Sequence, residues 1–141
     1  MPFVSVTRLR VKSIFYLFPF IRSNEASIKT LKKSVGFLNG KELVDKNLTF
    51  WTITLWEKEE NMRAFRGSAA HRNAMQHLPN WCNEASYHHW NQIENDLPPC
   101  DSISTRLFSE GNISKVRTPS KAQASNKFPA IKWTKMERKL K

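Results

Sequence analysis

Four histidines, His71, His77, His88 and His89, and two cysteines, Cys82 and Cys100, are the side chains of this 141-residue chain best suited to hold a metal or move a proton near neutral pH. His71 is singled out by its spacing. Ala74, Met75 and Leu78 follow it at i+3, i+4 and i+7, which puts its imidazole on the apolar side of a helix, away from Arg72 and Gln76. Facing a cavity there, it could act as an acid or base or ligate a metal; against other side chains it is a packing histidine bonded to a backbone carbonyl. His88 and His89 are consecutive on a strand and point to opposite faces, so they do not make a metal site. His77 lies off the apolar stripe and reads as a surface residue. The cysteines have neither metal-ligand spacing nor the framework of a disulfide-stapled secreted domain, and Cys82 reads as structural.

Aromatic residues give a second group. Trp51, Trp56, Phe65, Met75 and Trp90 are candidate walls of a pocket for a hydrophobic or aromatic small molecule. For most of the tryptophans the competing role is core or interface packing. Arg63, Arg66 and Arg72 lie on the neighbouring helices and could meet a ligand carboxylate bidentately, although solvated helix faces commonly carry such residues.

The elements that must position these groups follow from periodicity. Residues 3–12 alternate as a first strand, and from Pro19 to about Ser34 the residues Ile21, Ile28, Leu31 and Val35 predict a buried helical face, with Gly36 ending it. Residues 36–45 are a short strand candidate, and Leu48 to Trp56 is a strand rich in β-branched and aromatic residues. Glu57 to Glu60 open a helix with Met62 and Phe65 inside. Ser68 caps another, which Pro79 is expected to end. Residues 85–93 read as a fourth strand. Asp101 to about Glu110 reads as a short helix stopped by Gly111.

The order β-α-β-β-α-β predicts an α+β fold of the ferredoxin-like type. Both faces of the Leu48–Trp56 strand are apolar, Phe50, Thr52, Thr54 and Trp56 on one and Trp51, Ile53 and Leu55 on the other. Helices cover one face; the cover expected for the other is a second copy, so that a homodimer forms an α/β barrel. The domain is expected over residues 1–97, a helix-containing extension packed on it over 98–118, and a basic flexible tail over 119–141.

Net charge is +11, but residues 115–141 hold nine of the 23 Lys/Arg and only one of the 12 acids. The remainder is close to neutral, which argues against a nucleic-acid-binding domain face. Contact of the tail with nucleic acid or an anionic membrane is a minor alternative. The apolar run Ile14 to Ile21 is too short to span a bilayer, and the segment after it, from Arg22 to Ser27, lacks a small-x-small cleavage pattern, so a cytoplasmic setting is expected.

The stretches Phe50-Trp-Thr-Ile-Thr-Leu-Trp-Glu, Met62-Arg-Ala-Phe-Arg-Gly-Ser-Ala-Ala-His-Arg-Asn-Ala-Met and Leu78-Pro-Asn-Trp-Cys-Asn-Glu-Ala, with Trp90, resemble an uncharacterised bacterial branch of the antibiotic-biosynthesis-monooxygenase-like superfamily, related to the spheroidene monooxygenase group. Looser similarity extends over roughly residues 3–120. The resemblance implies a dimer with a pocket between sheet and helices in each subunit. It also implies an oxidoreductase: members include cofactor-free quinone-forming oxygenases and haem-degrading monooxygenases. In the haem-degrading members the axial ligand is a histidine on this helix, a place that His71 fills after Trp56-Glu57 and Ser68. They also use a tryptophan and a first-strand asparagine where this chain has Phe65 and no asparagine, so the resemblance extends to haem binding and not to its degradation. Two readings arise from the sequence: a monooxygenase-like enzyme with His71 as acid/base or haem ligand, or a non-catalytic dimeric binding module.

Overall fold

The computed structural model describes residues 1–128 and 133–141. Along the chain come β1 (Phe3–Val11), α1 (Ile14–Lys32), β2 (Phe37–Asp45), β3 (Thr49–Trp56), α2 (Glu59–Arg66), α3 (Ala69–Trp81) and β4 (Cys82–Asn91). They are followed by α4 (Cys100–Glu110), β5 (Asn112–Ile113), α5 (Lys121–Ser125) and β6 (Trp133–Lys139). The strands form one antiparallel sheet in the order β5-β4-β1-β3-β2-β6. Its inner four, β4-β1-β3-β2, have the ferredoxin-like arrangement expected from the element order.

Register decides which side chains share a face. Ser5 pairs with Thr54 and His89, and Thr7 with Thr52 and Tyr87, so these six residues lie together on the side covered by α1, α2 and α3. The one-residue alternation sends Val4, Val6, Trp51, Ile53 and Leu55 to the opposite side, where all five are fully buried.

What buries that opposite side is α4. Ile103 is 0% exposed and joins Leu107 against Val4, Val6, Leu43, Trp51, Ile53 and Leu55, with Phe108 and Trp90 packed alongside. Fully burying one such aliphatic side chain contributes roughly 1.5–3 kcal/mol. The expectation that only a second copy could cover the Trp51 face is therefore corrected. The eleven residues of α4 do so within the chain.

Several local expectations are also corrected. The first helix begins at Ile14, with Pro19 inside it; only one N–H is lost there, near the helix start, where the Tyr16 N–H donates to the Ser13 carbonyl. Ile21 and Val35 are exposed, while Phe20, Ser27, Ile28 and Leu31 form the buried face. Pro79 does not end α3, which runs two residues further to Trp81 and passes directly into β4. Pro79 lacks the N–H that would donate to the Met75 carbonyl, so α3 forgoes one bond in its last turn and still continues. Gly36 sits at φ +82 in the turn before β2, where a Cβ would collide with the side chain of Asn61.

The C-terminal segment departs most from the expectation of a flexible tail. Residues 133–139 add to the free edge of β2, and Leu140 is fully buried with Phe3, Leu31, Phe37 and Trp56. Arg138 bridges Glu25 at 2.7 Å and Glu42 at 3.1 Å. Basic composition suggested solvation, but an open strand edge with a carboxylate beside it is a template for pairing. Gln123 of α5 is buried too, its amide bonded to the backbone of Ala85 and to the Ser114 carbonyl. Ile131 lies outside the described residues.

Candidate functional site

A cavity of about 470 Å³ lies between the sheet and the three helices α1, α2 and α3. Its existence follows from side-chain size. At one end of this layer Phe3, Phe37, Trp56 and Met62 fill the space, and at the other Val11, Phe20, Leu78 and Cys82 do. Between them the central strands present Ser5, Thr7, Thr52 and Thr54, too short to reach the helices. Phe20, Ile28 and Leu31 of α1, Phe65 of α2 and Ala74, Met75 and Leu78 of α3 complete an apolar roof. Arg66, Met75, Tyr87 and Lys115 line it and are exposed, which marks the opening between α3 and the β4–β5 edge.

His71 reaches this cavity from the first turn of α3. Ser68 caps that helix, its hydroxyl accepting from the His71 N–H at 3.4 Å. The imidazole is held edge-on against Phe65, with ring centroids 5.1 Å apart. Its Nδ1 lies 3.2 Å from the Arg66 carbonyl oxygen. A carbonyl only accepts, so Nδ1 carries the proton in the neutral ring and Nε2 keeps its lone pair. Burial pushes the His71 pKa below its usual value; the Arg66 carbonyl opposes this and the nearby Arg66 guanidinium adds to it. At neutral pH the ring is uncharged.

His89 enters the same cavity from β4, 5.3 Å from the Phe3 ring centroid to centroid. Its pKa is also lowered, first by burial, against the pull of Glu59 and with help from the charges of His88 and Arg66. His88 points the other way, as alternation requires, to lie 3.3 Å from Glu110. The charged lining residues are Arg66 and Lys115; no carboxylate lines the cavity among the described residues.

Of the residues expected at a site, His71, Phe65 and Met75 come together here. Trp51 and Trp90 lie on the α4 side of the sheet, because strand alternation separates Trp51 from Thr52 and Thr54. Trp56 is on the cavity side but fully buried in the aromatic cluster at its end, ringed by Phe37 and Phe65, with its indole N–H donating to Thr54 Oγ1 at 2.9 Å. The hydroxyl-bearing floor, with Tyr87 and His89, was not anticipated. The signal was present in the alternation of Thr52 and Thr54 with Trp51, Ile53 and Leu55, in which two small polar residues face the helices.

The other chemistry-bearing side chains are accounted for structurally. Burial raises the Cys82 thiol to about 12, so it is inert. Cys100, at the start of α4, has the Lys41 ammonium 3.4 Å from its sulfur. Arg8 and Glu84, both buried, meet at 2.7 Å on the α4 side, and Arg10 and Ser120 add bonds to the second carboxylate oxygen. Burial works to raise the Glu84 pKa, but the hydrogen bonds from Arg8, Arg10 and Ser120 outweigh it and hold the carboxyl below its ordinary value. Among the described residues no group of three or more His, Cys, Asp and Glu is disposed to hold a metal ion. No helix among them is long and apolar enough to cross a membrane.

No protein-family model matches the chain, and no curated protein matches it in sequence. Solved structures do match in fold. Rv0793 from Mycobacterium tuberculosis superposes with a TM-score of 0.60 at 9% identity, over 67% of this chain and 97% of that one. An antibiotic biosynthesis monooxygenase gives 0.58 at 6% identity, over 65% and 99%. SnoaB, a cofactor-independent oxygenase from Streptomyces nogalater, gives 0.55 at 15% identity, over 70% and 98%. The chain thus has the α+β, ferredoxin-like fold of the antibiotic-biosynthesis-monooxygenase-like proteins, to which its β4-β1-β3-β2 core belongs.

Proposed function

We propose that the chain is a monooxygenase-like enzyme that binds a hydrophobic or aromatic small molecule in the cavity and uses His71 as a general base. One observation carries this reading: an apolar chamber contains a neutral imidazole with Nε2 free, while its mouth carries Arg66 and Lys115 and no carboxylate. Such surroundings favour an anion formed by deprotonating a bound ligand. The fold neighbour SnoaB, described as a cofactor-independent oxygenase, supports the same chemistry.

For a flat substrate with an activated methylene, His71 Nε2 takes the carbon-bound proton. The resulting carbanion delivers electrons to dioxygen and a C–O bond forms. Loss of water from the peroxide then leaves the ketone, so one methylene and one O₂ give one carbonyl and one H₂O. Anthrone is a suitable probe. Oxygen uptake with quinone formation by the wild type, lost in His71→Ala, is the expected result; uptake unchanged in that variant removes His71 from the role.

A haem-associated version has one supporting feature. An imidazole whose Nδ1 is tied to a carbonyl has the tautomer of a metal-ligating histidine, with the Nε2 lone pair available. His71 would be the ligand, and Arg66 and Lys115 are the cations near enough to the mouth to meet acidic substituents. Titration with hemin, read as a Soret shift abolished in His71→Ala, separates this version from the cofactor-free one. The non-catalytic alternative is a binding module, and saturable anthrone binding without oxygen uptake would favour it. A homodimer is not needed to cover the sheet, since α4 does so; sedimentation velocity on the full chain decides whether one forms.

A further inference from the structure

The outward face of α1 changes character along its length. Its first half exposes Ile14 (72%), Phe15 (86%) and Phe18 (74%), with Ile21 less so. Its second half exposes Arg22, Lys29 and Lys32, with Lys33 following at the helix end. The spacing 15, 18, 22, 25, 29, 32 follows one helical stripe, so the apolar and basic parts share a single outward surface about 27 Å long. The one acid on it, Glu25, is ion-paired with Arg138 at 2.7 Å. The stripe therefore presents positive charge beside exposed aromatic surface.

We propose that this face of α1 docks on an anionic lipid bilayer, with Ile14, Phe15 and Phe18 entering the interface and Arg22, Lys29 and Lys32 meeting the headgroups. Exposed apolar clusters of this kind mark interaction surfaces, and the choice of occupant rests on charge and area. A second copy packed on this stripe would set lysines against lysines when the helices run parallel, and lysines against the exposed aromatic residues when they run antiparallel. The apolar part offers on the order of 400 Å², about half of the roughly 800 Å² that each partner of a stable protein pair contributes. An interfacial helix needs no such area, since a short apolar ridge and a basic stretch act together on an anionic surface. Because the inner face of α1 stays packed on the sheet, docking requires no unfolding.

The test is co-sedimentation of the full chain with extruded phosphatidylcholine vesicles, with and without 25 mol% phosphatidylglycerol. Binding to the anionic vesicles is expected to be about tenfold or more stronger than to the neutral ones and to weaken as NaCl is raised. Phe15→Ser/Phe18→Ser and, separately, Lys29→Glu/Lys32→Glu are each expected to lower it about tenfold. Both pairs are exposed, so an unchanged thermal midpoint verifies the fold. Failure of the wild type to sediment with anionic vesicles overturns the proposal, as does a Phe15→Ser/Phe18→Ser variant that binds as well. Concentration-dependent self-association abolished by that variant, without vesicle binding, assigns the face to a second copy and overturns it too.

Discussion

The Nδ1 of His71 is 3.2 Å from the backbone carbonyl of Arg66, one helix earlier in the chain, and this single contact keeps the proton on Nδ1 of a ring that lines the cavity. Because α2 and α3 are joined only by Gly67 and Ser68, the carbonyl that orients the imidazole comes from the element immediately before it.

If His71 is the base, its protonation silences the reaction. Its pKa lies below the ordinary histidine value, so the rate of anthrone oxidation is expected to rise with pH along a limb centred below about 6.5 and to be level at neutral pH. A pH–rate profile checks this, and a limb centred above 7 contradicts it.

The same lowered pKa affects stability. Between its folded value and about 6.5 the unfolded chain binds the proton and the folded chain does not, so stability falls as pH drops through that window. Glu84 acts lower on the scale. Its contribution is complete above about pH 4.3 and is lost as pH falls through its depressed folded value. Urea midpoints measured from pH 8 to pH 3 in wild type and His71→Gln separate the two, since only the upper loss is expected to shrink in the variant, with His89, whose pKa is lowered in the same way, keeping its share.

Removing one partner of a buried ion pair leaves the other uncompensated. Glu84→Gln strands the charge of Arg8, whose side chain is 4% exposed and whose Nε has no partner among the described residues. A loss of about 3 kcal/mol is expected in equilibrium unfolding.

Ile103 tests the internal cover. It is fully buried against the Trp51 face, so Ile103→Ala is expected to cost about 2–5 kcal/mol and to raise the exposure of Trp51 to a fluorescence quencher. A cost below 1 kcal/mol would mean that α4 is not what shields this face.

Thiol labelling distinguishes the cysteines. Cys82 is buried with its thiol near 12, whereas Cys100 is partly exposed, so one thiol per native chain is expected to react with a maleimide at pH 7 and two after denaturation.

The sequence carried the sheet and the position of His71 well, because strand alternation and the His71-Ala74-Met75-Leu78 stripe are local signals. It did not carry the cavity. Grouping Trp51, Trp56 and Trp90 as walls weighed residue type over register, and register puts Trp51 and Trp90 on the far side of the sheet. A hollow is made by what is missing, here by Ser5, Thr7, Thr52 and Thr54 between aromatic ends, and small polar residues in strands look ordinary one by one. The C-terminal strand escaped notice for another reason. Its partner is the edge of β2, some ninety residues earlier, and lysine-rich composition hides pairing that depends on so distant an edge.

Since α4 and the sheet it shields belong to the same molecule, collapse of the Trp51 face is a first-order event. The rate at which that face is buried should therefore be unaffected by dilution.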